Sequence, residues 1–295
     1  MDFSDEIDIK EILLVLWNRK RIISIITTIS AIFSVLYALS IPNIYKSSAL
    51  LAPANEEKNL TSSLGQYSAL AGMAGVQLPA NQGNSSTEAI ARMKSFDFFS
   101  MHFLPFINLE DLVAAYKWDS KKDLLLYKTE LYDTSTNKWV SREIIPSSQE
   151  AYAIYLEKFS INENAKTGFV SISMEHFSPD IAKEWLIIII KNINESMRQE
   201  NISTSSKSIN FLKDQLESTN LEDIRDGISF LLESQMQNLM LASASKSYIY
   251  KVINSPIAPE RKSAPARSFI CMFITFVGFI LGCIYALLKG FREKV

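Results

Sequence analysis

The chain has 295 residues, with Lys+Arg 30 against Asp+Glu 32, so it is close to neutral. Neutrality excludes nucleic acid as the main partner, because binding a phosphate backbone needs a basic surplus. Mean hydropathy lies just above zero although 21% of the residues are charged. The apolar excess sits in two uncharged stretches, Ile22 to Ile41 and Phe269 to Leu288.

Each stretch is roughly 20 residues, or about 30 Å as a helix, which matches the hydrocarbon thickness of a bilayer. Arg19, Lys20 and Arg21 precede the first, and only Lys46 follows closely. The positive-inside rule therefore predicts a cytoplasmic N-terminus. A second crossing returns the chain to the cytoplasm, where Lys289, Arg292 and Lys294 fit. Arg261, Lys262 and Arg267 lie outside the second span, so its own flanks do not decide and the first span does. The alternative for the first stretch is a cleaved signal peptide, with Ala38-Leu39-Ser40 as a loose cleavage site. Its apolar run exceeds the usual signal core. The pattern from Ile7 to Trp17, with Ile9, Ile12, Leu13 and Leu16, is also an amphipathic helix that a signal peptide does not need.

The predicted organisation is a cytoplasmic segment 1–21, a span 22–41, an extramembrane α+β domain 42–267, a second span 268–288 and a tail 289–295. Within the domain, Tyr45 to Pro53 is short, β-prone and proline-bounded, which predicts a strand. From Asn55 to Ser86 the chain is rich in small and polar residues. Inside it, Leu70, Ala71, Gly72, Met73, Gly75 and Val76 mark an apolar segment of small residues, read either as a contact with a neighbouring subunit or as a flexible loop. Thr87 as N-cap with Glu88 in the first turn predicts a helix to about His102. Ile154 to Glu163 and Gly168 to His176 alternate like two strands around a turn at Asn164 to Gly168.

Ser178, Pro179 and Asp180 suit a helix N-terminus. No Gly or Pro then interrupts the chain until Gly227. Thr219 and Glu222 have capping-box spacing, so a second helix begins there, with Ile224, Ile228, Leu231, Leu232, Met236, Leu239 and Met240 at helical intervals. The first helix alone, Pro179 to Glu217, would reach about 58 Å. That length calls for other helices to pack on it, in this chain or in neighbours. Tyr248 to Ile253 is the last strand candidate, able to pair with the first.

Reactive constellations are missing. No glycine-rich loop ends in Lys-Ser or Lys-Thr, so a P-loop nucleotide site is unsupported. His102 and His176 have no metal-ligand spacing and read as structural or surface residues. Glu217, Glu222 and Asp223 sit at a helix junction, where acidic residues are expected. Cys271 and Cys283 both fall in the second span, about 18 Å apart on one helix, too far to pair within a chain. No catalytic residue, cofactor or metal site is predicted, which favours a structural or regulatory role. Pro256, Pro259 and Pro265 make the approach to the second span extended and stiff. Within that span Gly278 and Gly282 form a GxxxG pattern, a contact face for another helix, with the first span of the same chain as one partner.

Taken in order, several segments resemble the Wzz polysaccharide co-polymerases. They are Ile7-Asp8-Ile9-Lys10-Glu11-Ile12 with Leu16-Trp17, Tyr45 to Pro53, Leu70 to Val76, Leu231-Leu232-Glu233-Ser234-Gln235, Leu239-Met240-Leu241-Ala242, and Val252-Ile253-Asn254-Ser255-Pro256 leading to Pro259 and Pro265. The chain departs from the family where Asp-Pro-Ala is replaced by Asn254-Ser255-Pro256, and Ser-Pro-Lys by Ala264-Pro265-Ala266, with Arg267 restoring a positive charge one place later. The resemblance implies a bacterial inner-membrane protein with a large periplasmic α+β domain, assembled into a ring-like homo-oligomer and lacking catalytic activity. Its implied partners are a membrane-embedded polysaccharide polymerase, the lipid-linked glycan and membrane lipids. Its implied role is to set the chain length of a surface polysaccharide such as the O-antigen of lipopolysaccharide. With the sequence ending at Val295, the kinase-less branch of the wider group is the expected one. The alternative from another class is a periplasmic adaptor of a polysaccharide export machine, which would need a longer helical hairpin than Pro179 to Ser245 provides.

Overall fold

The computed structural model describes residues 16–54, 84–218, 222–245 and 247–292. Most of the Ile7 to Trp17 pattern, the Leu70 to Val76 segment, the Thr219 cap and Lys294 lie outside them. The described residues fall into two compact units: those up to Ile44 and from Arg261 onward, and Tyr45–Glu260.

In chain order, α1 (Lys20–Ser40) precedes β1 (Tyr45–Pro53), α2 (Asn84–Met93) and α3 (Leu109–Val113). Two small hairpins follow, β2 (Ala115–Asp119) with β3 (Leu124–Tyr127) and β4 (Tyr132–Asp133) with β5 (Lys138–Trp139). Then come α4 (Ser148–Lys158), β6 (Phe159–Glu163), β7 (Val170–His176), α5 (Pro179–Ser218), α6 (Glu222–Ala244), β8 (Tyr250–Asn254) and α7 (Arg267–Arg292). The architecture is α+β. Two helices, at Lys20–Ser40 and Arg267–Lys289, are long and apolar enough to cross a membrane.

In the unit Tyr45–Glu260, a four-stranded antiparallel sheet has the order β6-β7-β1-β8. The predicted first strand occupies its stated bounds and pairs with the last strand, so the earliest and latest segments of the unit lie side by side. β1 and β7 send Ala49, Leu51, Val170, Ile172 and Met174 into the core. There the adjacent Trp185 and Leu186, then Ile189 and Ile193 three or four positions further on, meet them from one face of the first half of α5. An aromatic cluster closes the core, with ring centroids 4.9 Å apart for Phe103–Tyr155, 5.2 Å for Phe99–Tyr155 and 5.7 Å for Phe103–Trp185. The Tyr155 hydroxyl donates to the Met93 carbonyl at 2.8 Å, so the buried ring keeps its polar end satisfied.

The long helix is present, and Ser178 does cap it, accepting from the Ile181 amide at 3.5 Å. Beyond Met197 only Ser205 and Ile209 are buried, and this distal half pairs with α6 as a helical hairpin. Two sequence expectations fail locally. The alternation from Ile154 is the end of α4 up to Lys158, and only Phe159–Glu163 is strand. The cause is a capping box upstream, where Ser147 accepts from the Glu150 amide and Glu150 accepts from the Ser147 amide. The single helix from Thr87 to His102 is instead α2, starting at Asn84, followed by a new start at Ser95. The Ser95 hydroxyl accepts from the Phe98 amide at 3.2 Å, and a π-helical turn runs from Phe99 to Phe103. A competing local side-chain bond breaks the helix there.

Candidate functional site

The two apolar helices of the other unit pack antiparallel. Gly278 faces Ser30, and a β-carbon built on it would stand 2.2 Å from Ser30 Oγ and 2.3 Å from Ser30 Cβ. Gly282 faces Ile23, where an added β-carbon would meet the backbone Cα at 3.4 Å. Gly278, Gly282 and Ala286 are buried on α7, opposite buried Ser34 and Ala38 on α1. Cys271 Sγ lies 3.8 Å from the Ser34 carbonyl oxygen. The Thr27 and Ser34 hydroxyls donate to the Ile23 and Ala31 carbonyls of their own helix, which satisfies them within α1. The two glycines thus sit in the helix contact, Gly278 against the Ser30 side chain and Gly282 nearer the backbone of the facing helix.

At the ends of these helices the chain is tied by backbone bonds. Ile44 N–H donates to the Ala264 carbonyl at 2.9 Å, and Ser263 N–H to the Ile44 carbonyl at 2.8 Å. Arg267, one of the charges that kept the second span's own flanks from deciding the topology, donates to the Ile41 carbonyl at 3.2 Å and to Asn43 Oδ1 at 3.0 Å. Ile41 is the C-cap of α1, so the guanidinium meets the negative end of a helix. Sequence spacing could not find this role, because 226 residues separate the partners. Pro265 precedes α7 within the same unit, at a cis peptide bond.

Pro256 and Pro259 belong to the larger unit, in an extended stretch without regular structure. Pro256 is buried, and the next carbonyl, that of Ile257, accepts from Ser47 Oγ at 2.8 Å. Pro256 also forms one end of a groove of about 860 Å³ between α5 and β8, whose wall includes Lys183, Lys191, Asn194, Arg198, Ser243 and Tyr250. Arg198 is held by Glu195 through two bonds of 3.0 and 2.7 Å. Asn194, buried at the groove floor, accepts from both the Ile249 and Tyr250 amides at 2.9 Å and donates to the Ile190 carbonyl at 3.0 Å. It fastens α5 to β8, a role nothing in its sequence context signals.

The histidines are not brought together. His102 lies in the π-helical turn and is half-buried. His176 is buried at the end of β7, where one ring nitrogen lies 2.9 Å from the Asp111 carbonyl and the other accepts from the Ser178 amide at 3.0 Å. Nε2 therefore carries the proton and the ring is neutral. Burial, with the Lys158 ammonium as a second cause, holds its pKa down to about 4. Lys158 donates to the Leu112 carbonyl at 3.1 Å, and burial lowers it to about 8. Both shifts have the same sign for stability. As pH falls from about 6.5 to 4 the unfolded chain takes up the histidine proton first, so the folded state loses on the order of 3 kcal/mol over that window. From about pH 8 to 10.5 the unfolded lysine holds its proton longer, so stability rises with pH. Unfolding midpoints of wild type and His176→Asn against pH check this. The substitution keeps an acceptor for Ser178 and should flatten the acid limb, and parallel curves would disprove the assignment. Among the described residues no cluster of three or more His, Cys, Asp or Glu could hold a metal ion.

Residues 5–98 match the family model described as Wzz, chain length determinant protein. No curated protein matches the chain. Among solved structures, a full-length bacterial polysaccharide co-polymerase aligns over 98% of this chain and 99% of its own, at 11% identity with a TM-score of 0.43. A fragment of WzzB, the polysaccharide co-polymerase from Salmonella Typhimurium, aligns over 75% of this chain and 100% of its own, at 14% identity with a TM-score of 0.30.

Proposed function

We propose that this chain, whose residues 5–98 match the Wzz chain length determinant model, belongs to that family and regulates the length of a surface polysaccharide without catalysing its synthesis. That match is the observation that carries the reading. The protein would sit in the bacterial inner membrane through α1 and α7, with residues 42–267 in the periplasm and segments 1–21 and 289–295 in the cytoplasm. It would work as a ring-like homo-oligomer beside a membrane-embedded glycan polymerase and its lipid-linked glycan. Support for self-association comes from the α5–α6 hairpin, where Phe211, Phe230, Leu231 and Met240 are exposed, more apolar surface than a solitary hairpin usually leaves in water.

The test is the glycan ladder from cells with and without the gene. Deletion is expected to leave polymerisation intact while a clustered length distribution becomes broad. Loss of all polymer would instead indicate an enzyme or an export component. A reporter active only in the cytoplasm, fused after Val295, is expected to be active, and an inactive fusion would overturn the topology.

A further inference from the structure

The hairpin β2–β3 is built unlike the rest of its unit. Its register pairs Lys117 with Leu126, Trp118 with Leu125 and Asp119 with Leu124. Because side chains alternate across a strand, Leu124, Leu126, Lys117 and Asp119 share one face. That face is open: Leu124 is 55% exposed and Leu126 37%. The other face carries Trp118, whose ring meets Tyr45 edge-on at 5.5 Å.

The charges of the hairpin are sorted. Asp119 accepts from the Lys121 amide at 2.9 Å, and Asp123, in the left-handed region at φ 49°, accepts from the Trp118 indole at 3.0 Å. Both carboxylates are thus engaged within the hairpin itself. Lys117, Lys121 and Lys122 are exposed, and none of the ion pairs among the described residues uses them. The result is two exposed leucines rimmed by three ammonium groups free to meet a partner, against two carboxylates already held by neutral donors of the hairpin.

The covalent chain limits where this surface can be. Tyr45, the ring against Trp118, is five residues beyond the end of α1 at Ser40, at most about 17 Å of extended chain. Its neighbour Ile44 is bonded to Ala264, three residues before α7 begins at Arg267. If α1 and α7 span the bilayer, as the proposed function holds, the hairpin is tethered within reach of the headgroup layer. Apolar side chains with flanking lysines are what that layer accepts: hydrocarbon enters the acyl boundary and ammonium groups meet lipid phosphate.

We propose that the open face of β2–β3 is a membrane-surface contact that seats Leu124 and Leu126 at the lipid boundary and reads anionic phospholipid through Lys117, Lys121 and Lys122. The test uses the full chain with Cys271 and Cys283 replaced by Ala, reconstituted in vesicles of phosphatidylcholine with or without phosphatidylglycerol. A fluorophore is placed on Leu124→Cys, on Phe211→Cys far along α5, or on Phe273→Cys within α7. The quencher is a lipid with a nitroxide on its headgroup, complemented by one with a nitroxide on its acyl chain.

The Phe273 label should be quenched by the acyl nitroxide, and failure there would sink the span reading itself. With that control positive, the Leu124 label should be quenched several-fold more than the Phe211 label by the headgroup nitroxide. It should lose most of that excess without phosphatidylglycerol, or when all three lysines become Gln. Quenching at Leu124 no greater than at Phe211 would overturn the contact. Protection of Leu124 from both nitroxide lipids and aqueous iodide would also overturn it, because a second protein surface would then cover the face. Quenching indifferent to phosphatidylglycerol and to the Gln substitutions would overturn the anionic-lipid assignment.

Discussion

Replacing Asn194 by Leu should destabilise the larger unit by about 2–5 kcal/mol, because one side chain satisfies three buried backbone groups. Its carboxamide oxygen takes the Ile249 and Tyr250 amides, and its nitrogen gives to Ile190. Leucine fills a similar volume but leaves two donors buried without partners, at about 1–3 kcal/mol each. Folded domains have only about 5–15 kcal/mol in hand, so the loss is large. Asn194→Asp keeps an acceptor for the two amides, loses the donor and buries a charge, so it should also destabilise, through desolvation. Denaturant unfolding of the detergent-solubilised chain measures both variants. A Leu variant within about 0.5 kcal/mol of wild type, the range of an ordinary surface change, would mean that water or a shifted backbone replaces the side chain.

The second large effect concerns α1 and α7, and it is graded. Gly278 has no room for even one carbon, since its β-carbon would overlap Ser30. Gly282 has ordinary contact distance to Ile23. Gly278→Ala should therefore already force the helices apart, at roughly 1–3 kcal/mol as for other overpacked sites, while Gly282→Ala should be mild. Leu at either position should separate the pair without impairing insertion, because it adds hydrophobicity. The expected phenotype is normal membrane abundance with a shifted or lost glycan length preference. Val277→Leu is the control, as Val277 is 39% exposed on the neighbouring face. Wild-type ladders from both leucine variants would reduce the helix pair to an anchor.

The parts legible in the sequence were those governed by local pattern. Two uncharged runs marked α1 and α7, the strand Tyr45–Pro53 showed by its β-prone residues between prolines, and Ser178-Pro179-Asp180 announced α5. What escaped depended on partners far along the chain or on local bonds that override periodicity. Arg267 finds the end of α1, and Asn194 finds the amides leading into β8. Ser95 interrupts a run that reads as one helix, and the Ser147–Glu150 box turns an alternating run into α4. Of the hairpins between Ala115 and Trp139, β4 and β5 have two residues each, too few for alternation to show, and β3 (Leu124–Tyr127) is an unbroken apolar run.

The strand order β6-β7-β1-β8 also has a meaning in time. β1 is made first but sits inside the sheet, and its partner β8 is synthesised roughly two hundred residues later. The strand β7 follows after roughly 120 residues and takes one edge of β1, but at ribosomal speed the edge meant for β8 stays open for about 10–40 s. Until Val252 arrives, that open edge of β1 can template pairing with any extended chain nearby, including the same strand of another copy being made alongside it. The yield of folded protein should therefore fall as copies are produced faster, and a chaperone that shields extended apolar segments should restore it more than one acting on finished domains.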